Sequence, residues 1–492
     1  MNSDRGLSDL SPPPTRTGAS NSAPVRHEPG SFRDPDSRVF YSGGRIYRAL
    51  SGQGLADFEA LAATDLLDDA RIIGTRRVAA EVEAEVEAET AGLITTGLGA
   101  VLEHDRVPFI SHPYEWPFSM LKDAALLQLD LLLSALDHDL ILKDSTPYNV
   151  QFEGARPVFI DVGSFERLRE GELWVGYRQF CMLYLYPLLL QAVKGVEFHP
   201  WLRGSIDGIT AQQMRSLSST RDRFRRGFTT HIFLHAWLDR RARQRHGDAP
   251  KEATRATSSK QLILANVRKM RRFVDSLKWD PPRGVWVSYG EHNSYDADDA
   301  LRKDEFVRSV VRAGPWGLAW DLGANNGRHS RIAAEGARYV VAIDADHGPV
   351  ELFYRQLRDA AEAAILPLTM NLADPSPALG WRALERRALI DRGAPDLVLA
   401  LALIHHLAIG SNLPVKEIVG WLADLGGALI VEFPDRDDPM VRKLLAPKRD
   451  GLHPDYERDY FEACLHEAFT VHRVERLGSG TRTLYFATPR GA

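Results

Sequence analysis

The residues with the clearest chemical signature lie in the segment Asp321-Leu-Gly323-Ala324-Asn325-Asn-Gly327. An apolar run that is typical of a buried strand precedes this segment, and a helical pattern follows it. Gly323 and Gly327 allow the backbone to turn sharply, and asparagine tolerates left-handed torsion angles. A strand-turn-helix of this kind is expected to present free backbone amides to an anionic group of a ligand.

A second acid, Asp344, ends the next apolar run, residues 339–343. At the tip of a second parallel strand, a carboxylate can accept hydrogen bonds from both hydroxyls of a ribose. The glycine pattern G-x-G-x-x-G of dinucleotide sites is absent from the segment, and Asp321 stands two residues before the first glycine. A carboxylate at that position repels a pyrophosphate but tolerates the ammonium and sulfonium groups of S-adenosylmethionine. These residues therefore favour S-adenosylmethionine as the cofactor.

The motifs resemble those of class I S-adenosylmethionine-dependent methyltransferases, whose first motif is an acid followed by x-Gly-x-Gly-x-Gly; here Asn325 replaces the middle glycine. The resemblance covers about residues 285–490 and implies an α/β, Rossmann-like fold with a seven-stranded, mostly parallel sheet whose last strand is antiparallel. Apolar runs at 365–368, 396–401 and 428–433 fit its third, fourth and fifth strands. The cofactor contacts that the resemblance implies are Asp321, Gly323, Ala324, Asn325, Gly327, Asp344, Ala345, Asn371 and Leu372.

Candidate catalytic residues follow the predicted fourth and fifth strands. His405 and His406 are adjacent, and because a histidine has an unperturbed pKa of about 6.5, either could remove a proton from an oxygen nucleophile at neutral pH. Adjacent side chains cannot both face one pocket, so capping a helix or lining the cofactor is an alternative role. Glu432 ends the fifth strand, where it could face the acceptor. The Asn/Asp-Pro-Pro-Tyr tetrad of enzymes that methylate DNA bases and glutamine amides does not follow the fourth strand, so we expect an oxygen or nitrogen of a small-molecule or glycan-like acceptor.

Within the family, the chain looks like a subgroup that takes its name from a host-specific nodulation protein. Four segments carry this likeness: residues 286–289, 321–325, 404–407 and 431–433. The likeness indicates a biological context and supplies no substrate. Trp286, Tyr289 and Tyr295, with Lys303, precede the first strand, where the resemblance implies a lid over the cofactor; these side chains could equally belong to the core.

A second constellation lies in the N-terminal half, where Leu142-Lys-Asp144-Ser-Thr-Pro-Tyr-Asn149 is followed twelve residues later by Asp161-Val-Gly163. It resembles the catalytic and metal-binding loops of protein kinases and aminoglycoside phosphotransferases. That resemblance implies that Asp144 orients a hydroxyl and that Asn149 and Asp161 hold magnesium. The family's histidine is Leu142 here, and neither a glycine-rich phosphate loop nor a strand lysine is recognisable before residue 115. Four arginines of that region are available, but none lies in the expected pattern: Arg45, Arg48, Arg76 and Arg77.

A degenerate kinase-like α+β domain is therefore the expectation for this half. Three alternatives stay open at this point: a phosphotransferase, a bifunctional enzyme, and a non-catalytic module that presents a partner to the methyltransferase domain.

The chain length and the order of the predicted helices and strands indicate two domains after a flexible arm. With 492 residues, the chain is about three times the usual domain length of ~150 residues. Residues 1–36 are rich in Pro, Ser and Asn and predict a disordered arm. Residues 37–278 predict the α+β domain, and residues 279–492 predict the methyltransferase domain. A Glu-rich stretch at 81–89 has valines spaced four residues apart, which predicts a helix.

Composition limits the class of protein. The formal net charge of -5 offers no basic field for a nucleic acid backbone, so nucleic acid is not an expected partner. The longest apolar run, residues 180–190, is too short to cross a bilayer and predicts a buried helix, so no membrane association is expected. Cys181 and Cys464 have no metal-ligand spacing, which predicts neither a disulfide framework nor a metal site and favours the cytoplasm. The sequence does not indicate an oligomeric state.

Overall fold

The structure, a computed structural model, describes residues 25–79, 97–171, 173–244, 260–282, 297–449 and 451–491. Several predictions fall on other residues: the first 24 residues of the arm, the Glu-rich helix at 81–89, and the lid residues Trp286, Tyr289 and Tyr295 all lie outside the described residues.

The described N-terminal part begins with an antiparallel sheet of five strands: β1 (Arg26–His27), β2 (Ser37–Ser42), β3 (Arg45–Leu50), β4 (Thr75–Arg77) and β5 (Ala100–His104). Their spatial order is β1-β2-β3-β5-β4. Between β3 and β4 lies the helix Gly52–Ala62, which begins after Ser51 because that hydroxyl accepts a hydrogen bond from the amide of Gly54 at 3.0 Å.

Part of the predicted arm belongs to this sheet, so the predicted disorder is wrong for these residues. Arg26 pairs with Tyr41 and His27 pairs with Phe40, and the 3-10 turn Pro29–Arg33 follows. Tertiary pairing explains the difference, since the strand edge supplies backbone partners and the Glu28 carboxylate accepts a hydrogen bond from the Tyr41 hydroxyl at 2.6 Å. The amino-acid composition of the arm cannot predict this pairing, because the pairing depends on another segment of the chain.

The rest of the N-terminal part is mainly helical, with two short antiparallel pairs, β6 (Leu140–Leu142) with β9 (Phe165–Arg167) and β7 (Val150–Glu153) with β8 (Arg156–Phe159). Its further α-helices are Phe118–Asp137, Tyr177–Phe180, Tyr186–Lys194, His199–Gly204, Ala211–Leu217, His235–Gln244 and Lys260–Asp275. Its further 3-10 turns are Leu66–Asp68, Pro113–Glu115, Pro147–Asn149, Val162–Ser164 and Arg221–Phe224, and its π-turns are Cys181–Leu185 and Thr229–Leu234.

The apolar run at residues 180–190 is helical and buried throughout. It continues from an α-helical turn through a π-turn into a second α-helix, and Gly195 ends it in a left-handed conformation. No helix in the described ranges has both the length and the apolar character needed to span a membrane.

The C-terminal part is an α/β unit built on a sheet of seven described strands: β10 (Trp316–Leu322), β11 (Ala337–Asp344), β12 (Ile365–Thr369), β13 (Leu397–Ala400), β14 (Ala428–Pro434), β15 (Phe469–Arg476) and β16 (Arg482–Pro489). The spatial order is β12-β11-β10-β13-β14-β16-β15, and β16 is antiparallel to both of its neighbours. The helices around it are Ala297–Ala313, Arg328–Ala333, His347–Asp359, Val415–Asp424, Pro439–Leu445 and Arg458–Ala468. Short turns lie at Trp381–Ala383, Leu389–Asp391 and His406–Gly410.

The strand register places several chemically interesting residues on one edge of the sheet. β10 lies parallel to β11 on one side and to β13 on the other, so the order in which successive strands are added to the sheet switches sides at this point. Asp321 pairs with Ala342 and with Leu399, and Asp344 pairs with Thr369. In open α/β sheets, ligands bind outside the carboxyl ends of the strands at the point where the strand order switches sides.

The two parts share one continuous hydrophobic core. Polar contacts cross the same boundary: the backbone amide and hydroxyl of Ser119 donate to the Glu351 carboxylate at 2.9 and 2.5 Å, and the amide of Gly154 donates to the Tyr339 hydroxyl at 2.9 Å. A buried bidentate ion pair joins Arg392 to Glu115, with both hydrogen bonds at 2.7 Å. The described parts therefore pack as one body.

Candidate cofactor and active site

A pocket of about 490 Å³ opens at the carboxyl edge of β10, β11, β12 and β13. The sequence-predicted residues that line it are Gly323, Ala324, Asn325, Asp344, Ala345, Asn371, Leu372 and His406. Twelve further lining residues were not in the predicted site: Lys303, Asn326, Arg328, His329, Asp346, Met370, Leu401, Ala402, Leu403, Leu407, Gly410 and Ser411. Four predicted site residues of this region lie behind the pocket wall: Asp321, Gly327, His405 and Glu432.

The turn after β10 is shaped by residues with positive φ. Gly323 has φ +83°, Asn325 has φ +48° and Gly327 has φ +77°. At Gly327, an added Cβ would lie 2.0 Å from the ring of Phe353, so this glycine is required for helix packing and does not reach the pocket.

Four backbone amides of this turn are already used within the protein, which differs from the expectation that they face a ligand. Those of Gly323 and Ala324 donate to the carbonyl of Ile343 at 2.8 and 3.0 Å. The amide of Asn325 donates to the Asp344 carboxylate at 2.8 Å, and that of Gly327 donates to the carbonyl of Ala324 at 2.8 Å. The physical reason is that Asp344 itself supplies the anion, so the turn and the acid fix each other.

Asp344 is held in one orientation at the end of β11. Its second carboxylate oxygen accepts a hydrogen bond from the amide of Asp346 at 2.8 Å. Each carboxylate oxygen retains a further lone pair, so both can still accept from a ligand hydroxyl. Burial raises the pKa of Asp344, which is the dominant effect despite these backbone hydrogen bonds.

Asp321 is buried beneath the turn. Its carboxylate accepts a hydrogen bond from the Ser330 hydroxyl at 2.6 Å, which ties β10 to the following helix. Burial raises the pKa of Asp321 to about 6, although the Ser330 hydrogen bond and the charge of Lys303 act in the opposite direction. Asp321 therefore supports the site from behind.

The two adjacent histidines have different environments. His406 lines the pocket, whereas His405 is fully buried and neither of its ring nitrogens has a hydrogen-bond partner among the described residues. The rings lie 4.2 Å apart. Burial, and then the neighbouring His406, lower the pKa of His405 well below its usual value; burial, and then Arg482, lower the pKa of His406. Of the two, His406 is placed to meet a ligand.

Glu432 belongs to a buried ion network behind the same pocket. Its side chain is 0% exposed and accepts from Lys303 Nζ at 2.6 Å and from Arg482 Nη1 at 3.3 Å. Arg482 also donates to Asp438 at 2.7 and 3.0 Å. Burial lowers the pKa of Lys303, and Glu432 opposes that effect. Lys303 therefore presents a fixed ammonium group to the pocket, and Glu432 acts through it.

Sequence reasoning placed Lys303 before the first strand without assigning it this role. A signal for it exists in the helix Ala297–Ala313, where Phe306, Val307 and Val310 form a buried face. Lys303 precedes Phe306 by three residues and Val307 by four, so it is a lysine on the apolar face of an amphipathic helix. Such a lysine needs a buried counter-charge.

The N-terminal part contacts two loops that border the pocket. Arg203 holds the Asp374 carboxylate with hydrogen bonds of 2.9 and 3.0 Å, shortly after Asn371. A carboxylate oxygen of Glu197 lies 3.1 Å from Nε2 of His347, the first residue of the helix that follows the loop after β11. These partners are far apart in sequence, and sequence reasoning did not identify them.

The predicted N-terminal site consists of Asp144, Asn149 and Asp161, and the structure links only Asn149 and Asp161. The Asn149 amide donates to the Ser164 hydroxyl at 2.9 Å, and that hydroxyl donates to Asp161 at 2.7 Å. Arg48, on β3, donates to the other oxygen of Asp161 at 2.8 Å. Burial opposes ionisation of Asp161, but Arg48 and Ser164 outweigh it and lower its pKa. Asp144 does not line the cavity that Asn149 and Asp161 border.

Arg48 thus contacts Asp161, the residue for which the resemblance to kinases implies a magnesium ion. Burial, and then the charge of Asp161, raise the pKa of Asp144. Among the described residues, no group of three or more His, Cys, Asp or Glu side chains is arranged to hold a metal ion.

Comparison with known proteins gives one extensive similarity. No protein-family model matches the chain. Nodulation protein NoeA of Rhizobium meliloti (strain 1021) is 34% identical over 462 residues, which is 93% of this chain and 94% of that protein. Among solved structures, the N-methyltransferase NodS from Bradyrhizobium japonicum WM9 is 12% identical, with coverage of 40% of this chain and 99% of NodS and a TM-score of 0.29. The magnesium protoporphyrin IX methyltransferase ChlM from Synechocystis PCC 6803 is 18% identical, with coverage of 42% and 92% and a TM-score of 0.29.

Proposed function

The chain belongs to the same family as nodulation protein NoeA, and we propose that it is an S-adenosylmethionine-dependent methyltransferase. Its acceptor is an oxygen or nitrogen of a small-molecule or glycan-like compound. The observation that carries the proposal is the position of Asp344. The amides of Asn325 and Asp346 fix its two carboxylate oxygens, and it lines a pocket where the strand order switches sides.

The residues present fit this cofactor. Asp344 would accept from the ribose hydroxyls, since both of its oxygens retain acceptor capacity. Met370, Leu372 and Leu403 give the pocket apolar walls for the adenine ring. Asp321 behind the turn adds a carboxylate that a sulfonium tolerates and a pyrophosphate does not. When bound, S-adenosylmethionine would supply an electrophilic methyl group.

The protein's own contribution is to align the acceptor and to take its proton. His406 borders the pocket, and its lowered pKa keeps the imidazole neutral at pH 7, the form that accepts a proton from an acceptor hydroxyl. Lys303, held by Glu432, would fix the acceptor's orientation as a hydrogen-bond donor. Glu432 is in this account a positioning residue.

Isothermal titration calorimetry with S-adenosylhomocysteine tests the cofactor site. Asp344→Asn removes the charge that accepts the ribose hydroxyls, and we expect affinity to fall by about tenfold or more, because hydrogen bonds to charged groups contribute about 1.5–3 kcal/mol. Asp359→Asn, an exposed acid at the end of the next helix, is the matched control and should leave affinity unchanged. Undetectable binding by the wild type, or equal affinity in Asp344→Asn, would exclude this site.

The acceptor is sought by incubating the protein with a labelled methyl donor and a metabolite and glycan library. Once an acceptor is found, His406→Ala is expected to lower turnover while cofactor affinity holds. Unchanged turnover would assign His406 to the wall of the pocket alone.

For the N-terminal part, we favour a role without phosphoryl transfer. Arg48 and Ser164 each donate to one oxygen of Asp161, so a magnesium ion bound there would be repelled by the positive charge of the Arg48 guanidinium. Calorimetry with magnesium and ATP is therefore expected to show no binding. Binding that depends on magnesium and is lost in Asp161→Ala would instead support a phosphotransferase or bifunctional enzyme.

A further inference from the structure

A second cavity, of about 470 Å³, lies between the N-terminal sheet and the loop that connects β12 to β13. We call it the interdomain cavity, because β2, β3 and β5 contribute to one wall and residues 385–387 and 392 contribute to the other. It shares no lining residue with the cofactor pocket. Its volume is within the range of small-molecule sites, about 300–1,000 Å³.

Most charges at this cavity are already compensated within the protein. Three ion pairs border it: Arg33 with Glu385, Arg387 with Glu28, and Arg48 with Asp161. Each pair joins one arginine to one carboxylate, so none of them leaves a net charge for a ligand to neutralise.

Arg386 is the exception among the buried arginines of this wall. It is 6% exposed, and Nη1 donates to the neutral hydroxyl of Tyr148 at 2.9 Å. Within the described part of the chain, Nε has no hydrogen-bond partner and no carboxylate lies within 4.0 Å of the guanidinium. Burying a cation is unfavourable unless an anion accompanies it. The missing partner of Arg386 is therefore expected to come from a ligand.

The loop that carries Arg386 is fixed before any ligand arrives. Arg386 and Leu379 form an antiparallel bridge, with backbone hydrogen bonds of 2.9 and 3.1 Å. The guanidinium carbon also lies 5.6 Å from the centroid of the Tyr148 ring. A guanidinium held in this way presents its remaining donors in a defined direction, which suits a planar or tetrahedral oxyanion.

The cavity also has an apolar side, although polar residues such as Asp34, His104 and Gln151 line it as well. Ile46, Ile73, Val107, Phe109 and Ile160 contribute to its walls. A free inorganic anion would leave this surface uncovered, whereas an organic anion would cover it.

We propose that the interdomain cavity binds a small organic oxyanion, a phosphomonoester or a carboxylate joined to an apolar or aromatic group, with Arg386 as the anion-binding residue. The proposed site needs no metal ion, because Arg386 supplies the positive charge for the anion. This site is independent of methyl transfer, so its failure and that of the cofactor site are separately measurable.

Calorimetry on the full chain with three matched probes tests the proposal. Phenyl phosphate and benzoate carry the two oxyanions on the same ring, and benzyl alcohol is the neutral control. We expect at least one anion to bind, with equal affinity in magnesium and in EDTA, and benzyl alcohol not to bind measurably. Absence of binding by both anions at millimolar concentration, or binding that requires magnesium, would overturn the proposal.

The role of Arg386 is tested with R386Q, which removes the charge, and with R382Q, an exposed arginine four residues earlier in the same loop. R386Q should weaken anion binding by about tenfold or more, and R382Q should leave it unchanged. Equal affinity in R386Q would refute the assignment. If R386Q does not fold, a measurement on the wild type tests the same point. Phenylglyoxal labels arginine side chains, and mass spectrometry measures the extent of labelling at Arg386. The binding anion should suppress this labelling, and undiminished labelling would refute the proposal.

Discussion

Replacement of Glu432 by leucine will leave the ammonium of Lys303 buried beside an apolar side chain. In the native protein, the Lys303 side chain is 6% exposed and that of Glu432 is 0% exposed, with 2.6 Å between Nζ and Oε2. Removing one partner of a buried ion pair costs about 3–5 kcal/mol, because the other charge stays uncompensated. We expect E432L to lower the free energy of unfolding by about that amount.

Arg482 should contribute less to this loss. It is 3.3 Å from Glu432 but keeps two hydrogen bonds to Asp438 when the glutamate is removed. A pair of apolar residues in place of a buried ion pair is often close to neutral in stability. The double variant K303M/E432L should therefore recover about 2–3 kcal/mol relative to the sum of the two single variants.

Equilibrium urea unfolding of the wild type, both single variants and the double variant measures this coupling. Lys416 and Glu467 provide a matched control, since they form an ion pair at 3.2 Å with side chains that are 58% and 66% exposed. We expect Glu467→Gln to have no measurable effect. If the two single losses simply add in K303M/E432L, Lys303 does not depend on Glu432 and the reasoning is refuted.

Two further predictions concern the turn after β10. Burial raises the pKa of Asp321 from its usual 3.8 to about 6. Between pH 3.8 and 6, the carboxyl group is therefore protonated in the folded state and ionised in the unfolded state. The free energy of unfolding falls by about 3 kcal/mol as the pH rises through this range. Urea unfolding between pH 4 and 7 should show this decline in the wild type and not in Asp321→Asn; the same decline in both would contradict it. Gly327→Ala should destabilise by more than about 2 kcal/mol, because the added Cβ would lie 2.0 Å from the Phe353 ring at φ +77°. Thermal unfolding checks this against Gly420→Ala, where nothing lies within 4 Å of the new Cβ; equal midpoints in the two variants would disprove it.

The strands around the cofactor pocket were predictable because their signals are local. The apolar runs predicted at 365–368, 396–401 and 428–433 coincide closely with β12, β13 and β14. The positions of Gly323 and Asp344 at strand tips follow from the same runs. Parallel pairing then brings those tips to one edge without any further information.

The partners of the buried charges were not predictable, because they depend on distant segments. Lys303 and Glu432 are 129 residues apart, and Arg392 lies 277 residues from Glu115. Arg48 gave no recognisable motif, and its contact with Asp161 spans 113 residues. A single sequence contains the charges but not the packing that selects among possible pairings.

The shared core also has a consequence for synthesis on the ribosome. The hydrogen bonds from Ser119 to Glu351 cannot form until Glu351 is synthesised, 232 residues later. At about 5–20 residues per second, that interval is roughly 10–50 s, during which the helix Phe118–Asp137 has emerged without its C-terminal partner. During that interval, the N-terminal residues of the shared core lack their C-terminal partners, so the demand for chaperone protection falls on the first half of the chain.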